Sequence, residues 1–452
     1  MSASSPSFPS ESVAADGATR FTSQDQGPLA RNRSFAGLIT AQFFGAFNDN
    51  LYKQLILFLA ARSLFPGEDK QGLAFAVFAL PFILFSGIAG DLSERFSKRT
   101  IIAMMKVVEI AIMLAGTVAL ALRSWPAMLT VLFVMGGQSA FFGPSKYGVI
   151  PELVGKQRLM AANGVTSMTT FLAILLGQAL AGPLLDRFGD RLWVTGFWCL
   201  AFAMIGTGAA LFIRRLPAQR PTMPVDRNPF GGVLNSIREL RSDRRVFQML
   251  LLNSLFWFNG GVVQQALIGL GGPRYLDIPD NQNWRLSLLL VVLAASIIVG
   301  SLWVEPAARR VRAGRLIVFG ALSILVCQSL LAVAVMVLGP DAYRFALGLV
   351  AALGFTGAFF AVPIQTFLQD APGEGTRGKT FAVNGFLNFI FIFLAGAYYL
   401  AISELRLHPG LAAAVAAALM CGLLLVFRRS VLSIERPRSS TDQVETSLSS
   451  RG

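Results

Sequence analysis

Histidine and cysteine are nearly missing from this chain, which has one histidine, His408, and three cysteines, Cys199, Cys327 and Cys421, far apart in sequence. That scarcity gives no zinc-ligand spacing and no disulfide framework. Charge is also thin: 14% of the 452 residues are charged and 54% are hydrophobic, where an ordinary soluble domain carries about 25% charged residues. The phosphate-cradling pattern Gly-x-x-x-x-Gly-Lys-Ser/Thr does not occur, and neither does a Ser/His/Asp arrangement. Primary energy use and catalysis therefore lack support, and neither a cofactor nor a metal is expected. The first thirty residues, rich in Ser, Pro and Asp, contain no apolar core of a signal peptide and read as a disordered cytoplasmic tail.

What the chain does have is apolar runs from end to end. They fall near 35 to 61, 72 to 91, 100 to 121, 127 to 146, 160 to 185, 193 to 213, 247 to 270, 286 to 305, 316 to 338, 343 to 367, 380 to 402 and 409 to 428. Each is about the 20 residues that a helix needs to cross a bilayer. The expected architecture is an all-α integral membrane protein with 12 transmembrane helices. Its parts are a tail over 1–34, a six-helix half over 35–213, a linker over 214–246, a second six-helix half over 247–428 and a tail over 429–452.

The formal charge of +14 does not indicate nucleic acid, because the basic residues sit in the short connections between spans. Placing both termini in the cytoplasm collects Arg95, Lys98, Arg99, Lys146, eight arginines between Arg214 and Arg245, and Arg309, Arg310, Arg312 and Arg315 on the inside. Only scattered residues such as Arg62, Arg123, Arg274 and Arg406 fall outside. This asymmetry is the positive-inside pattern. In the linker, Phe230, Val233, Leu234, Ile237 and Leu240 recur at helical spacing beside Arg238, Arg241, Arg244 and Arg245. Two readings stand: an amphipathic helix on an anionic leaflet, or a tether whose charges serve orientation.

The halves look related. Ala140-Phe141-Phe142 and Ala162-Asn163-Gly164 have counterparts in Ala358-Phe359-Phe360 and Val383-Asn384-Gly385, at offsets of 218 and 221, as a parallel duplication predicts. Gly87 to Asp91 leading into Arg95, Lys98 and Arg99 is matched more loosely by Gly300 and Glu305 leading into Arg309. An interhelical charge network built on Asp91, Arg95, Arg99, Glu305 and Arg309, stabilising one gate state, is expected there.

The first span holds the polar run Asn48, Asp49, Asn50 together with Lys53. Ionisable groups at membrane depth cost about 2.5–3.5 kcal/mol on insertion scales and usually face a protein interior or a watery cavity. Asp49 and Lys53, four apart, share a helix face and can pair. Such a pair suits coupling to protons or, with the amide oxygens, to sodium; the alternative is a static pair that fixes the span's rotation. Lys106 and Glu109, three apart in the third span, read as a structural pair. Pro144 is expected to interrupt the fourth span near Lys146 and Tyr147, where Lys146 is either a contact for an anionic headgroup or a helix-end anchor. In the second half, Gln264 and Asn384 are the candidates for facing a central cavity, among Asn253, Asn259, Gln265, Gln365 and Asn388.

The Gly-x-x-x-Asp loop with its basic residues, the twelve spans and the repeated half resemble the major facilitator superfamily, although the usual glycine-arginine pattern is altered. Within it, Phe47-Asn48-Asp49-Asn50 with Lys53-Gln54, and Phe141-Phe142-Gly143-Pro144-Ser145-Lys146-Tyr147-Gly148 through Leu153 to Asn163-Gly164 and Gly177, resemble the bacterial lysophospholipid transporter family. They look equally like the transporter domain of acyltransferase-fused phospholipid-repair proteins. The resemblance implies a carrier in the cytoplasmic membrane that moves lysophospholipids to the inner leaflet for reacylation by alternating access. The alternative is an exporter of a small amphipathic compound. A His-x-x-x-x-Asp acyltransferase motif is not met, since Ala413 stands five positions after His408; a separate acyltransferase would be the partner. A monomer is expected.

Overall fold

The computed structural model describes residues 29–65, 68–222, 230–371 and 374–434. Of the expected tails over 1–34 and 429–452, residues 1–28 and 435–452 lie outside the described residues, as do linker positions 223–229. The long helices of the first half are α1 (Arg33–Phe58), α2 (Gln71–Arg95), α3 (Lys98–Ala121), α4 (Trp125–Val154), α5 (Leu159–Phe188) and α6 (Leu192–Ala210). A short linker helix α7 (Gly231–Leu240) leads to α8 (Arg244–Gly269), α9 (Trp284–Arg310), α10 (Ala313–Leu338), α11 (Tyr343–Asp370), α12 (Glu374–Glu404) and α13 (Pro409–Val426).

Their ends follow from local chemistry. The Asn32 side chain accepts from Phe35 N at the start of α1, and its amide reaches Leu153 O at 3.0 Å, fixing α1 to the end of α4. Asp243 caps α8 through the backbone N–H groups of Arg245 and Val246, and the single histidine caps α13 by accepting from Gly410 N. Such side chains satisfy the backbone donors that open every helix. Gly155, at φ 73°, stops α4 in the left-handed region that favours glycine.

Nine continuous helical stretches among the described residues are long and apolar enough to cross a membrane. Two of them, 159–210 and 313–370, each contain two helices joined by a 3₁₀ turn. The protein is a multi-pass membrane protein. Helix α1, diluted by Asn48, Asp49, Asn50, Lys53 and Gln54, is outside that set, yet its middle is among the most enclosed parts of the molecule: Leu51, Tyr52, Leu55 and Ile56 are fully buried.

Packing repeats between the halves. Helix α1 packs on α5 and α6 as α8 packs on α12 and α13, and α4 joins α2 and α3 as α11 joins α9 and α10. Two seams connect the halves, α2 against α12 and α5 against α9. Small residues govern how closely these helices approach, since lipid supplies no hydrophobic drive between them. Gly72 and Gly396 face each other so closely that a Cβ on either would stand 2.7 Å from the other's carbonyl oxygen. Gly182 is pressed against the Asn283 backbone. Eighteen residues are five helical turns, so the same face recurs at that interval. Gly90, Gly378 and Gly164 lie eighteen residues from Gly72, Gly396 and Gly182, and among the described residues nothing stands within 4 Å of a Cβ at any of them. The seams are tight at the face carrying the 62–70 and 270–283 loops (the loop face) and splayed at the face carrying the chain ends and α7 (the terminal face).

Several expectations need correction. Pro144 does not interrupt α4, which runs continuously through Pro144 and Pro151; proline is tolerated within a membrane helix that packs on its neighbours, as α4 packs on α2 and α3. The Glu305–Arg309 pair, at 2.7 Å, lies within α9 and is exposed on both sides, so it joins no two helices. Arg95 lies over the neighbouring Phe96 ring, and Arg99 donates to Ile213 O at 3.3 Å. Lys98 and Glu152 form a buried interhelical charge pair at the terminal face, at 2.9 Å. Gly148 leaves room for the lysine stem, and Gln219 and Arg214 also bind Glu152. In α7, Val233, Ile237 and Leu240 pack on protein and Glu239 pairs with Lys379 at 2.7 Å, leaving Leu234 exposed. Most of its apolar face is therefore used within the molecule.

Candidate functional site between the halves

The polar residues of α1 radiate because each helical step turns the side chain by about 100°. Asn48 reaches α3, where its amide donates to Glu109 Oε1 at 3.2 Å. Asp49 turns to α4 and accepts from the Ser139 hydroxyl. Lys53 points toward α2, its ammonium 5.1 Å from the Phe78 ring centre and 5.8 Å from that of Phe75, and it donates to Asn50 Oδ1 at 3.1 Å. Gln54 crosses to the other half and accepts from Gln264 Nε2 at 2.9 Å.

The expected Asp49–Lys53 ion pair is therefore not closed. Ser139 occupies one carboxylate oxygen and Asn50 takes the ammonium. Both side chains are more than nine-tenths buried, and Asp49 Oδ1 and Asn48 Oδ1 have no partner among the described residues. A buried acceptor left unpaired costs about 1–3 kcal/mol, more when charged. Lys146, half-buried on α4, carries its ammonium 4.6 Å over the exposed Tyr147 ring, with no carboxylate in ion-pair range among the described residues. The interior thus presents one under-satisfied carboxylate and two ammonium groups held by a single amide or by aromatic rings.

Lys106 and Glu109 do pair, at 2.6 Å and 1% exposure each. Gly45 and Gly206 make room for the ammonium, since a Cβ on Gly45 would stand 2.5 Å from Lys106 Nζ. Phe142 faces it at 5.4 Å. With Asn48 tied to Glu109, this pair holds α1 against α3.

In the second half Gln264 is spent on Gln54, bridging the halves. Asn384 Oδ1 accepts from Asn253 Nδ2 at 2.9 Å, and Asn388 Oδ1 accepts from Asn253 Nδ2 at 3.1 Å and from Ser254 Oγ at 3.0 Å.

The loop face is sealed by groups that local sequence patterns do not reveal. Asp186, at the end of α5, accepts from Asn283 N at 2.6 Å, Asn283 Nδ2 at 3.0 Å and Trp284 N at 2.8 Å, so one half caps the first turn of α9 in the other. Arg62 pairs with Asp280 at 3.0 Å and also donates to Asn283 and to the Ile278 carbonyl. Asp69 accepts from Gln71 and from the Tyr399 hydroxyl at 3.2 Å, and Gln71 donates to Gln265 O at 3.1 Å. Burial raises the Asp69 carboxyl pKa, against the lowering effect of these hydrogen bonds.

Two linked bundles sealed at one face and splayed at the other, around a buried polar centre, form a recognised class. The sequence matches the model of the Major Facilitator Superfamily over residues 38–396. The chain belongs to the Major Facilitator Superfamily. Among curated members, a protein named lysophospholipid transporter LplT from Klebsiella pneumoniae (strain 342) is 28% identical over 388 residues, 83% of this chain and 90% of that one. LplT from Enterobacter sp. (strain 638) is 29% identical over 381 residues, 82% and 89% of the two chains. Among solved structures, a POT family transporter in complex with 5-aminolevulinic acid superposes with a TM-score of 0.70 at 12% identity, over 90% of this chain and 98% of that one. That likeness concerns the fold alone.

Asp49 and Lys53 stand out in the sequence by their cost at membrane depth and Lys146 by its place beside Pro144, whereas Ser139, Asp186 and Tyr399 carry no such mark. Hydroxyls pass unremarked in apolar helices. The polarity of Asp69 and Asp186 is ordinary in loops and at helix ends, so neither carried a local signal.

Proposed function

We propose that this superfamily member is a lysophospholipid carrier of the bacterial cytoplasmic membrane, working by alternating access. The observation that carries the reading is the interior charge set: an Asp49 oxygen without a partner, and Lys53 and Lys146 without carboxylates, in a space splayed toward one face. A phosphoethanolamine headgroup offers an anionic phosphate to the lysines and an ammonium to Asp49, so all three charges become paired on binding. The apolar surface around Phe75, Phe78 and Tyr147 suits a single acyl chain. The name shared by the curated relatives supports the same substrate class.

The excess of basic residues on the connections of the terminal face supports cytoplasmic termini, which would make the described state inward-facing. Delivery is then to the inner leaflet, where a separate acyltransferase would reacylate the product. Asp49 is the group proposed to couple transport to protons or sodium, and the protein is taken to act as a monomer. The test is leaflet-resolved movement of lyso-phosphatidylethanolamine and its diacyl form in liposomes containing the purified protein, with and without proton or sodium gradients. Faster movement of the mono-acyl lipid is expected. Equal indifference to both, alongside transport of an unrelated amphipathic compound, would favour the exporter reading instead.

A further inference from the structure

The charged residues of α1 do not account for the amide cluster of the second half. Gln264 meets Gln54 across the interface, so its face of α8 points toward the first half. Asn253, Trp257 and Gly260 lie on that face at helical spacing; Trp257 is 39% exposed, and a Cβ on Gly260 would meet nothing within 4 Å among the described residues. On α12, Phe389 stacks on Phe82 of the first half with ring centres 4.0 Å apart, and the half-buried Asn384 and Asn388 sit just before it. The cluster thus borders the space between the halves.

Its hydrogen bonds are incomplete in a specific way. Asn253, 1% exposed, donates to both Asn384 and Asn388, yet its own Oδ1 has no partner among the described residues. The amide nitrogens of Asn384 and Asn388 are not used by any hydrogen bond that forms the cluster. Turning all three amides around would exchange the roles of their oxygens and nitrogens and would still leave free donors and free acceptors. A cation would leave the donors unpaired and an anion would leave the acceptor unpaired. A hydroxyl, which both donates and accepts, satisfies both.

Depth agrees with the glycerol hydroxyl that a mono-acyl lipid leaves free. Taking the Gln54–Gln264 contact as a common level, Asp49 is five residues and Asn253 eleven residues nearer the terminal face, or about 7.5 and 16 Å along the helix axes. The difference is about 9 Å. In a mono-acyl phosphoethanolamine lipid, the amine and the free glycerol oxygen are separated by about eight covalent bonds, roughly 10 Å when extended.

We infer that Asn253, Asn384 and Asn388 form a binding site for the free glycerol hydroxyl of a mono-acyl lipid whose headgroup lies at Asp49. The inference rests on the functional reading above. It makes the missing second chain something the protein recognises by a hydrogen bond as well as by available space. A site built to bind a hydroxyl rejects analogues that lack one, because its own buried polar groups are left unpaired.

The test compares lyso-phosphatidylethanolamine with its sn-2 O-methyl ether in the liposome assay, and in parallel by quenching of tryptophan fluorescence, to which Trp257 contributes, in the purified full-length protein. Wild-type protein should prefer the free hydroxyl by roughly tenfold. Asn384→Ala and Asn388→Ala should bring the ratio close to one while the charged headgroup is still bound. A ratio near one in wild type, or a ratio unchanged in monodisperse variants, overturns the inference and leaves the carrier reading standing. Wild-type protein that neither binds nor moves either lipid overturns both.

Discussion

Replacing Asp186 with alanine should open the loop face. In the described state its carboxylate accepts three hydrogen bonds from the first turn of α9, at 2.6, 2.8 and 3.0 Å, two of them from backbone N–H groups that no side chain of α9 itself caps. Once the halves separate at this face, water can satisfy both the carboxylate and the backbone donors. The net stabilisation of the sealed state is therefore the exchange value of charged hydrogen bonds at a helix start, about 2 kcal/mol. That corresponds to roughly a 30-fold change in the equilibrium between sealed and open loop faces. Spin labels at Asp190 and Glu404, both exposed on that face in different halves, would report the change as a longer distance population in double electron–electron resonance. The three native cysteines are buried, but would be replaced to keep labelling clean. A distance distribution unchanged by Asp186→Ala in correctly folded protein would refute the assignment of this contact as a gate.

Asp49→Asn retains a partner for Ser139 and removes a costly charge, so expression and membrane insertion should be unchanged while lysophospholipid movement falls tenfold or more, about 1.4 kcal/mol at the rate-determining step; radiolabelled lipid uptake checks this. Lys106→Met strands Glu109 at 1% exposure and should cost about 3–5 kcal/mol, seen as a lower unfolding temperature in detergent, with Lys106→Met/Glu109→Gln recovering part of it. The Asp69 carboxyl is raised in the sealed state by burial. Its protonated form is therefore favoured there, and the contribution is largest below the ordinary carboxylate pKa and is lost as pH rises through the raised value. Acidification should accordingly shift the same spin-label distances toward the sealed population, and Asp69→Asn should remove that dependence.

The architecture was legible because membrane helices advertise themselves: long apolar runs, basic connections and the Ala-Phe-Phe and Asn-Gly echoes between halves are all local or periodic signals. The expected spans coincide with the long helices to within a few residues at most ends. The site was legible only in part, for a physical reason. The cost of burying Asp49 and Lys53 is a property of the residue and its segment, whereas the identity of each partner is a property of packing. Ser139 is ninety positions from Asp49, and nothing in its own neighbourhood distinguishes it from other small residues of α4. The same applies to Asn50, which takes Lys53 away from the carboxylate that helical spacing alone would have given it. Pro144 does not end α4, because a proline rule derived from isolated helices takes no account of packing on neighbouring helices.

The glycines repeated at eighteen-residue intervals make each seam a ruler with two marks, one in use and one idle. Bulk added at Gly72, Gly182 or Gly396 meets backbone immediately, while a Cβ at Gly90, Gly164 or Gly378 meets nothing among the described residues. A methyl group at an idle mark carries no steric penalty in the present conformation, and would carry one only in a conformation that brings the terminal ends of the same helices together. Alanine or leucine at these three positions would therefore act as a wedge driven into one end of the molecule's working cycle, holding the protein in the shape described here without touching a single polar group.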